Sequence, residues 1–227
     1  TPSTLRRAQL TGAPVRAELR HLDRGASRAA SRMRLGFSAD AKLVVVMGGS
    51  LGSAVLNSAT ESLVAQMKSP SLANVAILHI AGSRYMEGQQ LASEIRRPDG
   101  SIMYQRIAYS SNMSDIYAAA DLVVARAGAS TVAEIATVGI ASVLVPWKDA
   151  AENHQLTNAK SLSDYDGAVL LEESKLTDDV FVQLIGDLLG DEAMRLHIAR
   201  EARKLGEVNR NCSIAAVVEK AAELVLR

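Results

Sequence analysis

Short apolar runs recur along the chain, separated by stretches in which polar residues are frequent. They lie at Leu43 to Met47, Val75 to Ile80, Ser101 to Tyr104, Leu122 to Ala125, Ser142 to Val145 and Ala168 to Leu171. Each run is continuous rather than alternating, a pattern that predicts a strand buried on both faces, as in parallel sheets.

Helical patterns fill the spaces between these runs. Val55, Ala59, Leu63 and Met67 step by four residues. The stretches from Met113 to Ala120, Val132 to Val138 and Asn153 to Leu162 are also compatible with helices. Strands that alternate with helices predict right-handed crossovers, so we expect an α/β fold with a doubly wound, parallel, six-stranded sheet.

The two ends of the chain depart from this alternation. Residues Ala26 to Leu35 predict an arginine-rich helix whose charges should form a solvated face. After Thr177 the strands stop, and helices are predicted at Val180 to Leu189, Glu192 to Leu205 and Ser213 to Leu226. Between the second and third strands, the polar connection Gly82 to Gly100 contains a possible short helix, Gly88 to Arg96.

Composition excludes several classes of function. The chain carries 25 basic and 25 acidic residues, so it has no field of one sign that would favour nucleic acid as a partner. Its single cysteine, Cys212, cannot form an internal disulfide, and no histidine cluster suggests a metal site. No apolar stretch approaches the ~18 residues that span a bilayer.

The first candidate for chemistry is the turn Gly48 to Ser53, which joins a predicted strand to a predicted helix. Free amides at such a helix start can face an anion, and glycines allow a close approach. The glycine spacing is not that of a dinucleotide fingerprint, and no Gly-Lys-Ser/Thr follows as in a Walker loop. A turn without function remains an alternative.

The second candidate is Arg126 to Glu134, which also follows a strand and opens a helix. Thr131 and Glu134 have the spacing of a capping box, which is the structural alternative. Both turns should lie at the carboxyl edge of one parallel sheet, where open α/β folds bind ligands. Together they could hold a diphosphate, and Glu134 could accept hydrogen bonds from both hydroxyls of a ribose.

A third polar stretch runs from Glu152 to Gln155 and on to Asn158. His154 and Asn158 are four residues apart, so on a helix they share one rim. A capped helix start is the alternative. Since no Ser-His-Asp set, reacting carboxylate pair or metal-ligand spacing is present, the polar rim suits recognition better than acid-base catalysis.

Taken together, these segments resemble the C-terminal half of the MurG family of bacterial glycosyltransferases, which add N-acetylglucosamine to the lipid-linked muramyl-pentapeptide precursor of peptidoglycan. The similarity covers residues 11 to about 171. The matching blocks are Thr11 to Arg16, Gly48 to Gly52, Asn112-Met113 with Ala120-Asp121, Arg126 to Glu134, and Asn153 to Gln155 with Asn158-Ala159.

The resemblance implies a Rossmann-like domain of a GT-B glycosyltransferase, and it implies a set of residues that bind UDP-N-acetylglucosamine. The diphosphate region would include Arg16, Gly49 and Ser50, with phosphate amides from Gly128, Ala129, Ser130 and Thr131. The uracil pocket would include Tyr109, Ser110 and Met113. Glu134 would bind the ribose diol, His154 and Gln155 would bind sugar hydroxyls, and Asn158 completes the set.

The resemblance also implies a domain division. We expect residues 1–40 to form an interdomain arm and leading helix, 41–175 the UDP-sugar-binding domain, and 176–227 helices that pack on the same unit. The chain is expected to start near the interdomain hinge. The catalytic residues are not assigned, because the family's proposed base belongs to an N-terminal domain that we expect to be absent here.

For function, the resemblance implies an inverting N-acetylglucosaminyltransferase in peptidoglycan biosynthesis, and so a role in the cell wall, cell shape and cell division. No metal and no cofactor beyond the donor are expected. The lipid-linked acceptor and the membrane would be reached through the missing N-terminal domain, with the protein cytoplasmic and peripheral on the inner face of the cell membrane.

Two alternatives stay open from the sequence. One is a UDP-sugar-binding subunit of a split glycosyltransferase, and the other is an enzyme like UDP-N-acetylglucosamine 2-epimerase. The chain also departs from the family pattern at Ala13, Leu51 and Trp147-Lys148. Of these departures, Leu51 is the one expected to alter a ligand contact.

Overall fold

A seven-stranded sheet organises this computed structural model, which describes residues 10–67, 69, 72–86 and 92–225. The strands are β1 (Lys42–Met47), β2 (Val75–Ile80), β3 (Glu94–Arg96), β4 (Ile102–Ile107), β5 (Leu122–Ala125), β6 (Ser142–Leu144) and β7 (Val169–Leu170). Their order is β3-β4-β2-β1-β5-β6-β7, and all neighbours are parallel except the antiparallel pair β3 and β4.

Helices connect the strands and close the chain. Within the described residues they are α1 (Ala17–Arg20), α2 (Arg24–Leu35), α3 (Ala54–Gln66), α4 (Met113–Ala119), α5 (Ala129–Val138), α6 (His154–Ser163), α7 (Asp178–Gly190), α8 (Glu192–Leu205), α9 (Glu207–Arg210) and α10 (Ile214–Val225). The predicted helices other than Gly88 to Arg96 are present with small shifts at their ends, whereas the short helices α1 and α9 were not predicted.

The predicted α/β fold is confirmed, and the number of strands is corrected from six to seven. The extra strand, β3, occupies residues that we expected to end a short helix. Ile95 is half-buried there while Glu94 and Arg96 are exposed. One inward apolar residue is too little for a periodic pattern, so this edge strand was not predicted. The start of the predicted helix, residues 88–91, lies outside the described residues.

Side chains of the central strands alternate between two hydrophobic layers. Leu43, Val45 and Met47 pack on one face of β1, beside residues of α4, α5 and α6. Val44 and Val46 pack on the other face, beside residues of α3 and α7. Since helices cover both faces, the sheet is doubly wound, and the continuous apolar runs of the sequence reflect burial on both sides.

One aspartate fixes β1 against β5. The backbone N–H of Asp121 donates to the carbonyl of Leu43 at 2.8 Å, and the Asp121 carboxylate accepts from the Leu43 N–H at 2.7 Å. The same carboxylate pairs with Arg28 at 2.5 Å and with Arg32 at 2.6 Å. These contacts lie directly before the first register pair, Val44 with Leu122.

The arginines of α2 have structural partners, so the expected solvated face is wrong for Arg32, and Arg24, just before the predicted helix, is structural as well. Arg32 is only 1% exposed, and besides Asp121 it donates to the carbonyls of residues 38, 39, 41 and 119. Arg24 donates to the carbonyls of residues 117, 120 and 139. Long side chains carry the guanidinium groups to carbonyls at the ends of other elements, which helical periodicity alone does not reveal.

The described part of the leading arm packs on the C-terminal helices. The N–H of Ala13 donates to the side chain of Asn209 at 2.8 Å, and the N–H of Ser213 donates to the carbonyl of Thr11 at 3.1 Å. Gly12 has a φ of +76°, and a Cβ there would lie 2.3 Å from the carbonyl oxygen of Val208. The domain boundaries drawn from the sequence stay a prediction.

We expect Asp121→Asn to lower the free energy of unfolding by about 3 to 5 kcal/mol, because it leaves the buried Arg32 without an anionic partner. Urea denaturation measures the change. Glu94→Gln is the matched control, since it breaks an exposed ion pair with Arg96 and should cost less than about 1 kcal/mol. Equal costs for the two variants would contradict the role of Asp121.

Candidate functional site

The two turns singled out in the sequence lie side by side. Gly48 to Ser53, here called the glycine turn, follows β1, and Arg126 to Gly128, the second turn, follows β5. The two strands are parallel neighbours, with Met47 opposite Ala125. The sheet order reverses between them, so both turns face the crevice at the carboxyl edge where open α/β sheets bind ligands.

The glycine turn is held against the end of β2. Gly52 has a φ of +75°, and a Cβ at this position would lie 2.1 Å from the carbonyl oxygen of Ala81, so only glycine fits. Gly49, with a φ of +82°, has open space where a side chain would be. Ser53 caps α3 by accepting from the N–H of Leu56 at 3.3 Å. Ser50 and Leu51 are exposed at the tip of the turn.

A buried chain of hydrogen bonds supports the glycine turn from inside the protein. Arg106 Nε donates to the Tyr104 hydroxyl at 3.0 Å, which lies 3.0 Å from His79 Nδ1. His79 Nε2 lies 2.9 Å from Asn57 Oδ1. The amide nitrogen of Asn57 donates to the Ala81 carbonyl at 3.2 Å. We call these four side chains the buried relay.

The buried relay fixes the protonation of His79. Since the Asn57 nitrogen donates to Ala81, its oxygen faces the ring, and the proton of neutral His79 lies on Nε2. Burial, followed by the positive charge of Arg106, lowers the pKa of His79 to about 3. Sequence analysis missed this residue because a lone histidine inside the apolar run of β2 is compatible with a buried strand.

The start of α5 carries no side-chain cap. Its N-cap residue is Gly128, whose carbonyl accepts from the N–H of Val132 at 2.9 Å. Thr131 is already inside the first turn of the helix, so the capping box with Glu134 is wrong. Ala129, Ser130 and Thr131 thus form an uncapped helix start beside the glycine turn, an arrangement suited to an anion.

Glu134 is oriented by two partners at this edge. Its carboxylate accepts from the Tyr117 hydroxyl at 3.0 Å and pairs with Arg16 at 3.4 Å. Burial, and then the adjacent Glu134 charge, raise the pKa of Tyr117 well above its ordinary value, so Tyr117 stays a donor. Arg16 also donates to the carbonyl of Ser111 at 3.4 Å. Residues far apart in the chain therefore meet at the start of α5.

The predicted uracil segment lies next to this group. Tyr109 is 70% exposed, whereas Met113 packs against the hydrophobic core. The Ser110 hydroxyl accepts from the N–H of Asn112 at 3.2 Å, and Asn112 caps α4. The contact between Arg16 and Ser111 joins this segment to Glu134.

The third polar stretch braces the second turn. Asn158 on α6 donates to the carbonyl of Ala127 at 3.0 Å, and Gln155 accepts from the backbone N–H of Trp147 at 3.0 Å. The Nδ1 atom of His154 lies 2.7 Å from the carbonyl oxygen of Ala151. Glu152 and Asn153 both have φ near +50°, a conformation that is uncommon for non-glycine residues and occurs in tight turns and at functional sites.

The Arg126 side chain forms contacts within the fold and does not face the crevice. It is 9% exposed, pairs with the carboxylate of Glu173, and donates to the carbonyl of Val145 at 3.3 Å. Its charge is therefore neutralised locally. In the described ranges, no group of three or more His, Cys, Asp or Glu side chains is placed to hold a metal ion. None of the helices described is both long and apolar enough to cross a membrane.

Sequence comparison identifies relatives of the chain. Residues 43–211 match the family described as the glycosyltransferase family 28 C-terminal domain. A curated protein of Acidothermus cellulolyticus is 37% identical over 211 residues, which make up 93% of this chain and 56% of that protein. It is named UDP-N-acetylglucosamine--N-acetylmuramyl-(pentapeptide) pyrophosphoryl-undecaprenol N-acetylglucosamine transferase. A Mycobacterium tuberculosis (strain ATCC 25618 / H37Rv) protein of the same name is 35% identical, covering 90% of this chain and 48% of that protein.

Structural comparison agrees with the sequence. The crystal structure of Acinetobacter baumannii MurG matches with a TM-score of 0.70 at 26% identity, over 96% of this chain and 58% of that chain. The resemblance to the C-terminal half of a GT-B transferase is confirmed. These matches do not favour the split-enzyme and epimerase alternatives. The chain spans about half the length of the curated relatives it matches.

The lowered pKa of His79 predicts a specific pH dependence of stability. Between the ordinary pKa of histidine, near 6.5, and about 3, the unfolded chain binds a proton that the folded chain excludes, so stability falls as the pH falls. From pH 6.5 to 4.5, the native protein should lose about 2 kcal/mol more than His79→Gln. Urea denaturation at each pH measures this. If the free energies of unfolding of the two proteins changed equally with pH, this prediction would be contradicted.

Proposed function

Because the chain belongs to the family of glycosyltransferase family 28 C-terminal domains, we propose that it binds UDP-N-acetylglucosamine and presents this donor for transfer to a lipid-linked muramyl-pentapeptide. The observation that carries the proposal is the juxtaposition of the glycine turn, the uncapped start of α5 and Glu134 at one sheet edge. The relatives' printed names supply the donor and the acceptor.

The diphosphate would lie between the glycine turn and the first turn of α5. Amides of Ala129, Ser130 and Thr131 present the positive end of the helix dipole, worth roughly 0.3 to 1 kcal/mol per exposed charge and more where water is excluded. Gly49 and Gly128 permit close approach, and Ser50 adds a hydroxyl. Several modest interactions then replace a metal ion in neutralising the two phosphates, so we propose that no metal is required.

The nucleoside would lie beside Glu134. A carboxylate can accept from both hydroxyls of a ribose, and the hydrogen bond from Tyr117 keeps the Glu134 side chain directed to one place. Arg16 is already 3.4 Å from that carboxylate, which puts its guanidinium within reach of an adjoining phosphate. Tyr109, Ser110 and Met113 would surround the uracil ring.

The sugar would lie toward the start of α6. We assign its hydroxyls to His154 and Gln155. The hydrogen bond from Asn158 to the carbonyl of Ala127 makes Asn158 a positioning residue for the second turn, one step before Gly128. The positive φ angles of Glu152 and Asn153 set the direction in which α6 begins, and so where His154 and Gln155 stand.

The reaction would be an inverting transfer. An acceptor hydroxyl oxygen forms a bond to the anomeric carbon while the bond from that carbon to the phosphate oxygen breaks. UDP leaves with the electron pair, and a base takes the hydroxyl proton. The helix amides and Arg16 stabilise the charge that develops on the departing diphosphate. The base would be supplied by an N-terminal domain, as would the acceptor site and peripheral contact with the inner face of the cell membrane.

A panel of nucleotides tests the proposed donor. UDP and UDP-N-acetylglucosamine should raise the melting temperature of the protein, because a ligand that binds only the folded state stabilises it. ADP, GDP and NAD at the same concentration should not, since the uracil pocket excludes larger bases. Thermal-shift fluorescence makes the measurement, and equal stabilisation by all the nucleotides would contradict the assignment.

Glu134→Ala should weaken UDP binding by about 1 to 3 kcal/mol, the range for a hydrogen bond lost to a charged group. Isothermal titration calorimetry measures the affinity. Glu94→Ala removes a carboxylate from the edge strand, far along the sheet order from the crevice, and should bind UDP as the native protein does. Unchanged affinity in a folded Glu134→Ala protein would refute the role of Glu134.

A further inference from the structure

A cavity of about 410 Å³ lies at the opposite end of α5 from the proposed donor site. The residues that line it come from the loop between α1 and α2, the ends of these two helices, the end of α5 and one residue of α8. They are Arg20, His21, Leu22, Asp23, Arg24, Gly25, Val138, Gly139 and Arg203. Three of them are arginines, and Asp23 is the one acidic residue among them.

Arg20 is the unusual member of this group. Its Nε atom is buried without a hydrogen-bond partner. In the part of the chain that the structure describes, its guanidinium forms no ion pair or hydrogen bond, and Arg203 forms no ion pair either. Because no protein group pairs with it, the guanidinium of Arg20 can donate to a ligand that enters the cavity.

The hydrogen-bond acceptors nearby already have donors within the protein. Asp23 caps α2 by accepting from the N–H of Ala26 at 3.1 Å. The terminal carbonyls of α5 accept from three arginines: Thr137 from Arg210 at 2.9 Å, Val138 from Arg203 at 3.3 Å and Gly139 from Arg24 at 3.1 Å. The helix end therefore does not repel an anion as an uncovered carbonyl end would.

The crowding of cations has a visible electrostatic effect. Burial, followed by the charge of Arg28 and, more weakly, of Arg203, lowers the pKa of Arg24 to about 10 against the opposing effect of Asp121. An added negative charge would relieve this repulsion. Gly25, in the first turn of the twelve-residue helix α2, adds a backbone amide at the wall of the same cavity.

We propose that this cavity is a second anion site, which binds the phosphate group of a small phosphorylated molecule through Arg20, Arg203 and the start of α2. Phosphate matches two guanidinium groups because its several oxygens accept from both, in the paired geometry that arginine favours. The volume exceeds that of one phosphate, leaving room for the rest of the molecule. The ten residues of α5 place the site about 15 Å from the proposed diphosphate site.

Inorganic phosphate is the probe, and the resonance of the Arg20 Nε–H group is the readout. In ¹⁵N-correlated NMR spectra of the full chain, phosphate should shift this resonance in a saturable way, because an anion bound to the guanidinium changes the electronic environment of its Nε–H group. Arg20→Lys identifies the resonance by removing it. Arg96 Nε, which already donates to Glu94 at 2.7 Å, is the internal control and should not move. A linear shift, or an equal shift with chloride at matched ionic strength, overturns the proposal.

Two variants separate this site from the donor site. Arg20→Gln should weaken phosphate binding at least tenfold, measured by the Arg203 Nε–H resonance, and should fold normally because the Arg20 side chain forms no hydrogen bond or ion pair within the described structure. Arg16→Gln alters the donor site and should leave the Arg20 shift unchanged. If Arg20→Gln keeps native phosphate affinity, or Arg16→Gln abolishes the Arg20 shift, the second site does not exist as proposed. Neither result bears on UDP binding.

Discussion

The reciprocal bonds between Asp121 and Leu43 determine where the two turns lie. They set the register of β1 against β5, and four residues later along each strand the chain leaves the sheet, as the glycine turn in one case and the second turn in the other. A shift of register would displace one turn along the strand direction relative to its neighbour. Arg28 and Arg32 hold the same carboxylate, so α2 and the sheet depend on one charged centre.

Polar side chains inside this domain hold segments of the backbone in place. The buried relay ends on the carbonyl of Ala81, against which Gly52 packs, and Asn158 ends on the carbonyl of Ala127. Both turns are therefore supported from outside the crevice by an amide side chain. In this network the donors and acceptors follow one direction from Arg106 to Ala81, and a second nitrogen of Arg106, Nη1, is buried with no partner among the described residues.

The sequence pattern predicted the features that depend on local rules. It did not predict contacts between residues that are distant in the chain. The apolar runs located six strands, and the rule for parallel sheets predicted that the two turns are neighbours. The capping box failed because Thr131 and Glu134 have the right spacing but begin three residues after the N-cap residue, Gly128. Arg32 and Asn158 reach backbone carbonyls distant in the chain, and His79 reaches distant side chains. Nothing in their own sequence neighbourhoods indicates which partner they contact.

The reversal of strand order has a consequence for how the domain folds. Val44 and Leu122 are neighbours in the sheet but far apart in the chain, and pairings of that kind form slowly because a long loop must first close. The crevice between the turns is thus assembled by one of the most non-local contacts in the domain. During synthesis, β1 must wait for β5 to emerge, and the exposed edge of β1 is the surface on which a folding chaperone or a mispaired strand would compete.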